Sequence, residues 1–499
     1  MTVKEALEKL QTLEAVRYAY QHALSVMTVD GSTKAPAKSY LGRARSAGYL
    51  SGELHDLMAR PETRETVETI LDNSAEAGPV AARKAELLRE DLLNTLLFSR
   101  EEAIRNQQLL TEADAVWRES KVKSDFSRFK PCLEKMIAYK RTFAERKDPS
   151  RRPYDVLLDT YEKGACMQDL DVFFALCARE LPPVIQAVTE KVPPRSDFLH
   201  RVYPRHLQEQ FSGELMGLLG LPKDRCAIAE TEHPYTSGIN KWDVRISTHY
   251  HEDDVSLSMY SVIHEGGHAI YELGVQDEYQ FTRLQGGVTM GIHESQSRFY
   301  ENLIGRSRPF CDRTFEIARR IFPDQLQGVT EDEWYLAMNL SRPGLIRTEA
   351  DELTYPLHVM IRYEIEKKIF SGDVKVEDLP QVWNEMYKEH LGLTVPDDRR
   401  GVLQDSHWST GYFGYFPSYA LGSAYGVQML EEMKKTVDVE GAVRAGDLTP
   451  VTAWLRERIH RHGKFLTPAE VLKNAGVAPF DPSKYTDYLK DKYRALYHL

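Results

Sequence analysis

The 499-residue chain has few cysteines, no excess of basic residues and no long apolar run. No segment reaches the about 18 consecutive apolar residues that a membrane span needs, so we expect no membrane partner. The five cysteines are odd in number and lack C-x-x-C spacing, which is typical of reduced thiols rather than a disulfide framework. The net charge of -11, without a concentrated basic face, argues against a nucleic-acid partner.

Linkers and an export signal are also missing from the sequence. No Gly/Ser-rich or Pro-rich stretch divides it. We therefore predict a single domain over residues 1–499, with a helical region at about 1–200 and a metal- and substrate-binding region at about 201–499. The first residues lack an apolar signal core, and together with the sparse cysteines this predicts a cytoplasmic location.

Most of the chain has the apolar spacing of helices. Apolar residues recur three and four apart near the N-terminus, from about 64 to 108 and from 125 to 147. A further helix is expected to begin at Asp169 and to be interrupted at Pro182 and Pro183. Apolar and polar residues alternate over 244–250, which predicts a half-buried strand. The pattern indicates a mainly α protein.

The most informative motif is His264-Glu265-Gly266-Gly267-His268. Residues four apart share one face of a helix, so both imidazoles can bind a single ion. Glu265 lies beside that pair and is the candidate general base for metal-bound water. A solvated His-Glu-His helix face is the alternative interpretation of so short a pattern.

The residues around this motif favour a helix. Asp253 and Asp254 offer an N-cap, and Gly274 offers a C-terminal end. Gly266 and Gly267 fall inside the helix, where each costs about 1 kcal/mol relative to alanine. That cost predicts that another segment approaches the backbone closely there, with a loosely packed surface helix as the alternative.

A third ligand is needed, because catalytic zinc sites usually have three protein ligands and an open position. Glu294 is the preferred candidate, since two histidines and one glutamate form a well-attested hydrolytic set. His293 is the alternative, but adjacent helical residues point about 100° apart, so only one of them can face the ion. We expect one divalent ion, with zinc preferred and cobalt or manganese possible.

Five further elements follow one another along the chain. They are His233-Pro234-Tyr235, Asp243-Val244-Arg245-Ile246-Ser247, His293-Glu294-Ser295-Gln296, Ile346-Arg347-Thr348-Glu349-Ala350-Asp351 and Gly401-Val402-Leu403-Gln404-Asp405-Ser406-His407-Trp408. With the His264 helix, they resemble the motif set of the M32 metallocarboxypeptidases, the family of the thermostable Taq-type carboxypeptidase. Tyr235 stands where Phe is usual, and Ser247 stands where Thr is usual but keeps a hydroxyl group.

The resemblance implies a large helical, neurolysin-like peptidase fold with a deep groove and a small β-sheet beside the zinc helix. It also implies hydrolysis of the C-terminal peptide bond of peptides that have a free C-terminus, and a homodimer. By the same resemblance, Arg347 is the candidate for recognising the substrate's terminal carboxylate. An intrahelical ion pair with Asp351 is the structural alternative for this arginine.

The remaining site candidates are polar residues outside the metal-ligand set. His407 and Tyr419 are proposed donors to the tetrahedral oxyanion, although a histidine beside Trp408 can simply be packed. Arg245, on the predicted strand, is a second candidate for binding the carboxylate. His233 is a candidate for lining the groove, or only shapes a turn with the proline that follows it.

Two rival functions stay open at this stage. An oligopeptide endopeptidase on the same scaffold would keep every metal ligand but would lack a cation for the terminal carboxylate. A non-catalytic, zinc-stabilised peptide-binding protein would need no general base, so the presence of Glu265 argues against it.

Overall fold

A computed structural model describes residues 1–499, except for the side chain of residue 37. Helices make up most of the described chain. In order they are α1 Val3–Thr33, α2 Tyr40–Ala59, α3 Pro61–Asp72, α4 Ser74–Ala77, α5 Pro79–Leu96, α6 Arg100–Lys123, α7 Phe126–Lys147, α8 Pro153–Tyr161, α9 Met167–Thr189, α10 Arg205–Leu218, α11 Val255–Gly274, α12 Met290–Arg298, α13 Arg308–Ile321, α14 Glu331–Met338, α15 Tyr355–Ser371, α16 Leu379–Leu391, α17 Pro417–Met433, α18 Val439–Ala445, α19 Thr449–Arg458, α20 Pro468–Asn474 and α21 Pro482–Tyr497.

A small sheet lies immediately before α11 in the chain. Its strands are β1 Cys226–Glu230, β2 Thr236–Asn240 and β3 Asp243–Thr248, in the order β1-β3-β2. The central strand β3 pairs in parallel with β1 and antiparallel with β2, which leaves β2 at an edge. The predicted mainly α fold, with a strand just before the metal-binding helix, is confirmed.

Buried apolar residues form a large core and a separate N-terminal one. The smaller cluster includes Leu10, Leu13, Ile70 and Leu88 of α1, α3 and α5. The larger cluster extends from Ala113 to the C-terminal helix α21. A cavity of about 900 Å³ is lined by α1, α2 and α5 on one side and by β2, α11 and residues 282–293 on the other. This cavity lies beside α11, which lines it through Glu272.

Helix α9 continues through Pro182 and Pro183, so the expected interruption was wrong. Each proline removes a helical hydrogen bond and costs about 3 kcal/mol. The buried residues Leu181, Val184 and Ile185 of the same turns offset this cost, at about 1.5–3 kcal/mol for each fully buried side chain. The apolar face of α9 packs into the large core, although by length and composition this helix is also a candidate membrane span.

Helices α11 and α12 approach each other at a glycine. Asp254 caps α11, with its side chain accepting from the Ser256 N–H at 2.9 Å. A Cβ on Gly267 would lie 2.6 Å from the Gln296 carbonyl oxygen, which belongs to α12. A Cβ on Gly266 would lie 2.5 Å from Leu219 Cδ1. The predicted close approach to the backbone at both glycines is therefore confirmed.

We predict that Gly267→Ala destabilises the protein by about 1–3 kcal/mol, because the added methyl group must displace the backbone of α12. Gly48→Ala is the matched control, since no atom lies within 4 Å of its Cβ position on α2. That control is expected to stabilise the chain by up to about 1 kcal/mol. Urea unfolding followed by circular dichroism measures both variants, and equal unfolding midpoints would contradict the close packing.

Candidate active site

Three of the predicted metal ligands lie together. His264 and His268 are one turn apart on α11, and their ring centroids are 5.0 Å apart. Glu294 on α12 places Oε2 3.7 Å from His264 Nε2 and 3.5 Å from His268 Nε2. The three ligand atoms lie within 4.8 Å of one another, so one ion can contact all of them. Two imidazoles and a carboxylate form a donor set that suits zinc.

The far nitrogen of each ligand histidine is already hydrogen-bonded. His264 Nδ1 lies 2.7 Å from Glu301 Oε2. His268 Nδ1 lies 2.6 Å from His293 Nδ1, and His293 Nε2 lies 2.8 Å from Glu272 Oε1. If both ligand histidines donate from Nδ1, each Nε2 keeps a free lone pair toward Glu294. His293 therefore lies behind His268, and not among the ligand atoms.

The electrostatics of the cluster keep its carboxylates charged. Burial would raise the pKa of Glu294, but His264 and Arg298 hold that pKa well below its usual range. Burial lowers the pKa of His264, but Glu294 and the hydrogen bond to Glu301 raise it above its usual value, so a metal ion would bind this imidazole in exchange for a proton. Burial likewise opposes ionisation of Glu301, yet Arg298 and the hydrogen bond to His264 lower its pKa to about 2. Burial lowers the pKa of His268 to about 4, which keeps this imidazole neutral and able to bind a metal.

Glu265 is held at the edge of the sheet. Its side chain is buried, and Oε2 accepts from Thr236 Oγ1 of β2 at 2.6 Å. Burial raises the pKa of Glu265, while the nearby His264 opposes that shift. A raised pKa favours a carboxylate that both accepts and releases protons near neutral pH.

Arg347 lies in a buried ion-pair network, and the alternative intrahelical pair with Asp351 is not formed. Its Nε and Nη2 donate to Asp405 Oδ1 at 3.0 and 2.9 Å. Arg362 donates to the other oxygen of Asp405 at 2.6 Å. Asp351 instead accepts from Ser341 Oγ at 2.8 Å. The reason is local: residues 347–349 form a short 3-10 turn, so Arg347 and Asp351 do not share a helix face.

Arg347 is connected to the ligand cluster through aromatic and cationic side chains. Its Nη1 donates to the Tyr355 hydroxyl at 3.0 Å. The Arg298 guanidinium carbon lies 4.3 Å from the centre of the Tyr355 ring, and Arg298 Nε donates to Glu294 Oε1 at 2.8 Å. The Arg347 guanidinium is thus on the Glu294 side of the cluster, and its contacts to Asp405 and Tyr355 leave two of its five N–H groups for a ligand.

His407 and Tyr419 contact each other. His407 Nε2 lies 3.0 Å from the Tyr419 hydroxyl, and its ring stacks on Phe416 with centroids 4.2 Å apart. Burial and the charge of Arg347 lower the pKa of His407 to about 3, so this imidazole is neutral. Its Nδ1 is buried and has no hydrogen-bond partner among the described residues. The pair therefore offers polar hydrogens beside Arg347, whose guanidinium carbon lies 4.8 Å from the Tyr419 ring centre.

Arg245 and His233 contact residues other than those of the ligand cluster. Arg245 on β3 makes a two-point ion pair with Asp243, at 2.7 Å for each contact. His233 is exposed in the turn before β2, where its carbonyl accepts from Thr231 Oγ1. Within the described part of the chain, no hydrogen bond or ion pair joins either side chain to the ligand residues.

Sequence reasoning missed the residues that orient the ligands. Two of them hydrogen-bond a ligand directly: Glu301 contacts His264, and Arg298 contacts Glu294. Glu272 contacts His293, which in turn contacts the ligand His268, and Thr236 contacts the proposed base Glu265. Arg298 and Glu301 follow Glu294 by four and seven positions, a helical spacing that was available as a signal. Thr236 had no comparable signal, since only the tertiary fold brings β2 to α11.

Comparisons with known proteins identify the family of this chain. The family described as carboxypeptidase Taq (M32) metallopeptidase matches residues 9–493. Carboxypeptidase 1 of Bacillus subtilis is 37% identical over 96% of both chains. Thermostable carboxypeptidase 1 of Pyrococcus furiosus is 34% identical over 99% of this chain and 98% of its own. The crystal structure of an M32 carboxypeptidase from Deinococcus radiodurans superposes with a TM-score of 0.95 at 32% identity, covering 99% of this chain and all of the other. The chain belongs to the M32 family of metallocarboxypeptidases.

Proposed function

We propose that this metallocarboxypeptidase binds one zinc ion through His264, His268 and Glu294, and that it removes the C-terminal residue of cytosolic peptides. The observation that carries the proposal is the convergence of three ligand atoms within 4.8 Å beside a buried glutamate. A divalent ion in that position would polarise the peptide carbonyl and acidify a water molecule. Cobalt and manganese also suit this donor set, with zinc preferred for two histidines and one carboxylate.

Glu265 is the proposed general base. Its carboxylate would accept the proton of the attacking water and then deliver it to the departing amine nitrogen. Thr236 supports this role by fixing one carboxylate oxygen at 2.6 Å, which leaves the other oxygen for the water. The burial that raises the pKa of Glu265 also makes its protonated form accessible for the second step.

Tyr419 and His407 are the proposed donors to the oxyanion. Both are on the side of the cluster that carries Arg347, and a neutral His407 hydrogen-bonded to the Tyr419 hydroxyl keeps that hydroxyl oriented. Fixed donors in a buried site stabilise developing negative charge more effectively than mobile water does.

Arg347 is the proposed binding group for the terminal carboxylate of the substrate. Asp405 and Tyr355 hold its guanidinium plane, and its remaining N–H groups match the fork of a carboxylate. Arg245 and His233 are proposed as further substrate-binding residues outside the ligand cluster. Arg245 pairs with Asp243, and the His233 carbonyl accepts from Thr231 Oγ1. This arrangement favours an exopeptidase over the rival endopeptidase.

The location and the assembly state are further proposals. The absence of disulfides among the five cysteines is consistent with the cytoplasm, where thiols stay reduced. A homodimer and action of residues 1–499 as one peptidase unit follow from the family resemblance. Light scattering coupled to gel filtration would give the mass of the particle in solution, and a monomer at micromolar concentration would contradict the dimer.

We predict that Glu265→Gln lowers kcat by about 100-fold to 10,000-fold, because the amide cannot accept a proton. Metal content should remain at the wild-type level, since the side chain is not a ligand. Peptide hydrolysis by mass spectrometry and elemental analysis of the same sample measure both quantities. Substantial activity with full metal occupancy would remove Glu265 from the mechanism and favour a different base.

We predict that Glu301→Gln weakens metal binding by about 10-fold to 100-fold, because the neutral amide is a poorer partner for His264 Nδ1–H. Competition with a chromogenic chelator measures the dissociation constant. Glu316→Gln on α13 is the matched control, since this exposed carboxylate pairs only with Arg313 at the surface. Equal affinities in both variants would show that the outer carboxylate does not tune the site.

We predict that amidation of a peptide's C-terminus lowers kcat/KM by about 10-fold to 100-fold in the wild type, as expected for loss of a charged hydrogen bond. Arg347→Met should abolish this difference, and Asp405 remains paired with Arg362 in that variant. Arg245→Met serves as the control and should retain the difference. Unchanged cleavage of the amidated peptide by the wild type would instead support the endopeptidase.

A further inference from the structure

Two cations project into the 900 Å³ cavity without partners. Arg17 of α1 is only 8% exposed, yet its guanidinium makes no hydrogen bond or ion pair with any described residue, although it lines the cavity. Lys464, which follows α19, lines the same cavity and likewise has no acceptor for its ammonium group in the described chain. A nearly buried, unpaired guanidinium is unfavourable unless a ligand supplies the missing acceptors.

The acidic groups around the cavity are already occupied. Asp91 accepts from the Arg283 guanidinium at 2.6 and 3.0 Å. Glu14 accepts from Lys84 Nζ and from the Arg283 backbone N–H, both at 2.8 Å. Glu272 accepts from His293 Nε2 at 2.8 Å and contacts the Gly287 N–H. Among the lining residues, the cations Arg17, Arg283 and Lys464 outnumber the carboxylates Asp91 and Glu272 by one charge, and Arg17 and Lys464 are the cations without a direct partner in the described chain.

The pKa shifts agree with this excess. Burial, followed by the charge of Arg283, lowers the pKa of Arg17 to about 10. The same two causes, in the same order, lower the pKa of Lys464 to about 8. Both side chains remain charged at neutral pH, and an anion placed between them would relieve the repulsion from Arg283.

The cavity is next to the catalytic cluster at His293 and Glu272, and none of the residues that connect Arg347 to the cluster lines it. His293 and Glu272 line it, and His293 contacts the ligand His268 at 2.6 Å. Arg347 is connected to the cluster through Tyr355 and Arg298, on the Glu294 side. For a peptide whose terminal carboxylate lies at Arg347 and whose scissile bond lies at the cluster, this cavity is the space next to the cluster that the Arg347 network leaves free for the upstream residues.

We infer that Arg17 and Lys464 form a subsite for an acidic side chain of the substrate, on the N-terminal side of the scissile bond. The inference rests on the proposed function, because it takes the direction of the peptide from the placement of its C-terminus at Arg347. A glutamate or aspartate carboxylate supplies the acceptors that both cations lack, and an amide of equal size supplies only one oxygen without charge.

The test uses peptides that share one C-terminal residue and carry Glu or Gln at each upstream position in turn. We expect wild-type enzyme to prefer Glu over Gln at one position by about 10-fold or more in kcat/KM. Arg17→Met and Lys464→Met should each reduce that ratio toward one while leaving cleavage of the Gln peptide unchanged. Gln21→Ala is the matched control, since this uncharged residue lines the same cavity and should keep the ratio.

The outcomes separate the subsite from the proposed function. Cleavage of Glu and Gln peptides at equal rates by the wild type overturns the subsite but leaves the carboxypeptidase intact. Release of no C-terminal residue from any peptide overturns the proposed function itself. If Arg17→Met fails to fold, a Glu preference that survives in Lys464→Met still overturns the subsite. A third outcome combines no preference for Glu in the wild type with equal inhibition of both peptides by inorganic phosphate. That outcome would overturn the subsite and assign the two cations to a free anion instead.

Discussion

The spacing between α11 and α12 is the constraint on which the site depends. Glu294 reaches both imidazoles at 3.5–3.7 Å because the Gln296 carbonyl occupies the space that a side chain on Gly267 would fill. The other face of α12 is equally close to α17, where a Cβ on Gly422 would lie 2.8 Å from Glu294 Cβ. A methyl group on either glycine would move the carboxylate by a fraction of an ångström, and a metal-ligand distance tolerates only about 0.2 Å. Gly267 and Gly422 lower the stability of their helices, but they allow the close helix contacts that position the Glu294 carboxylate.

The charged side chains around the ligands compensate one another, which lowers the free-energy cost of burying ions. Glu294 and Glu301 are both buried, and each would be expensive without a partner. Arg298 lies between them and donates to Glu294 at 2.8 Å and to Glu301 at 3.1 Å. A buried network of this kind is weak evidence for stability, because apolar residues of similar volume often stabilise a core as well. The network is better explained by function, since the hydrogen bond from His264 to Glu301 fixes which nitrogen of His264 carries the proton.

The sequence allowed the ligands to be predicted because they rest on local geometry. Two histidines four apart on a helix predict a shared metal ion, and glycines that cost helical stability predict a close helix contact, without any knowledge of the rest of the fold. Long-range partners have no such local signal, because only the sheet brings Thr236 to Glu265 and only the packing of α1 brings Arg17 to the cavity. The interruption expected at Pro182 failed for a related reason, since burial of the α9 face outweighs two missing hydrogen bonds. Local rules therefore identified the chemistry, and tertiary packing decided what orients it.

The charge of the groove differs in sign from the charge of the whole chain. A net charge of -11 would by itself repel acidic peptides, yet exposed charges are screened beyond about 8–10 Å at physiological salt. Arg17 is nearly buried, so its field is screened far less and acts directly on a ligand within the cavity. Arg347 differs, because Asp405 pairs with it at 2.9 Å and fixes the orientation of its guanidinium, while the sharing of that single carboxylate with Arg362 leaves the pair of arginines positively charged. Arg347 is thus an oriented cation, whereas Arg17 is a cation without a direct partner in the described chain.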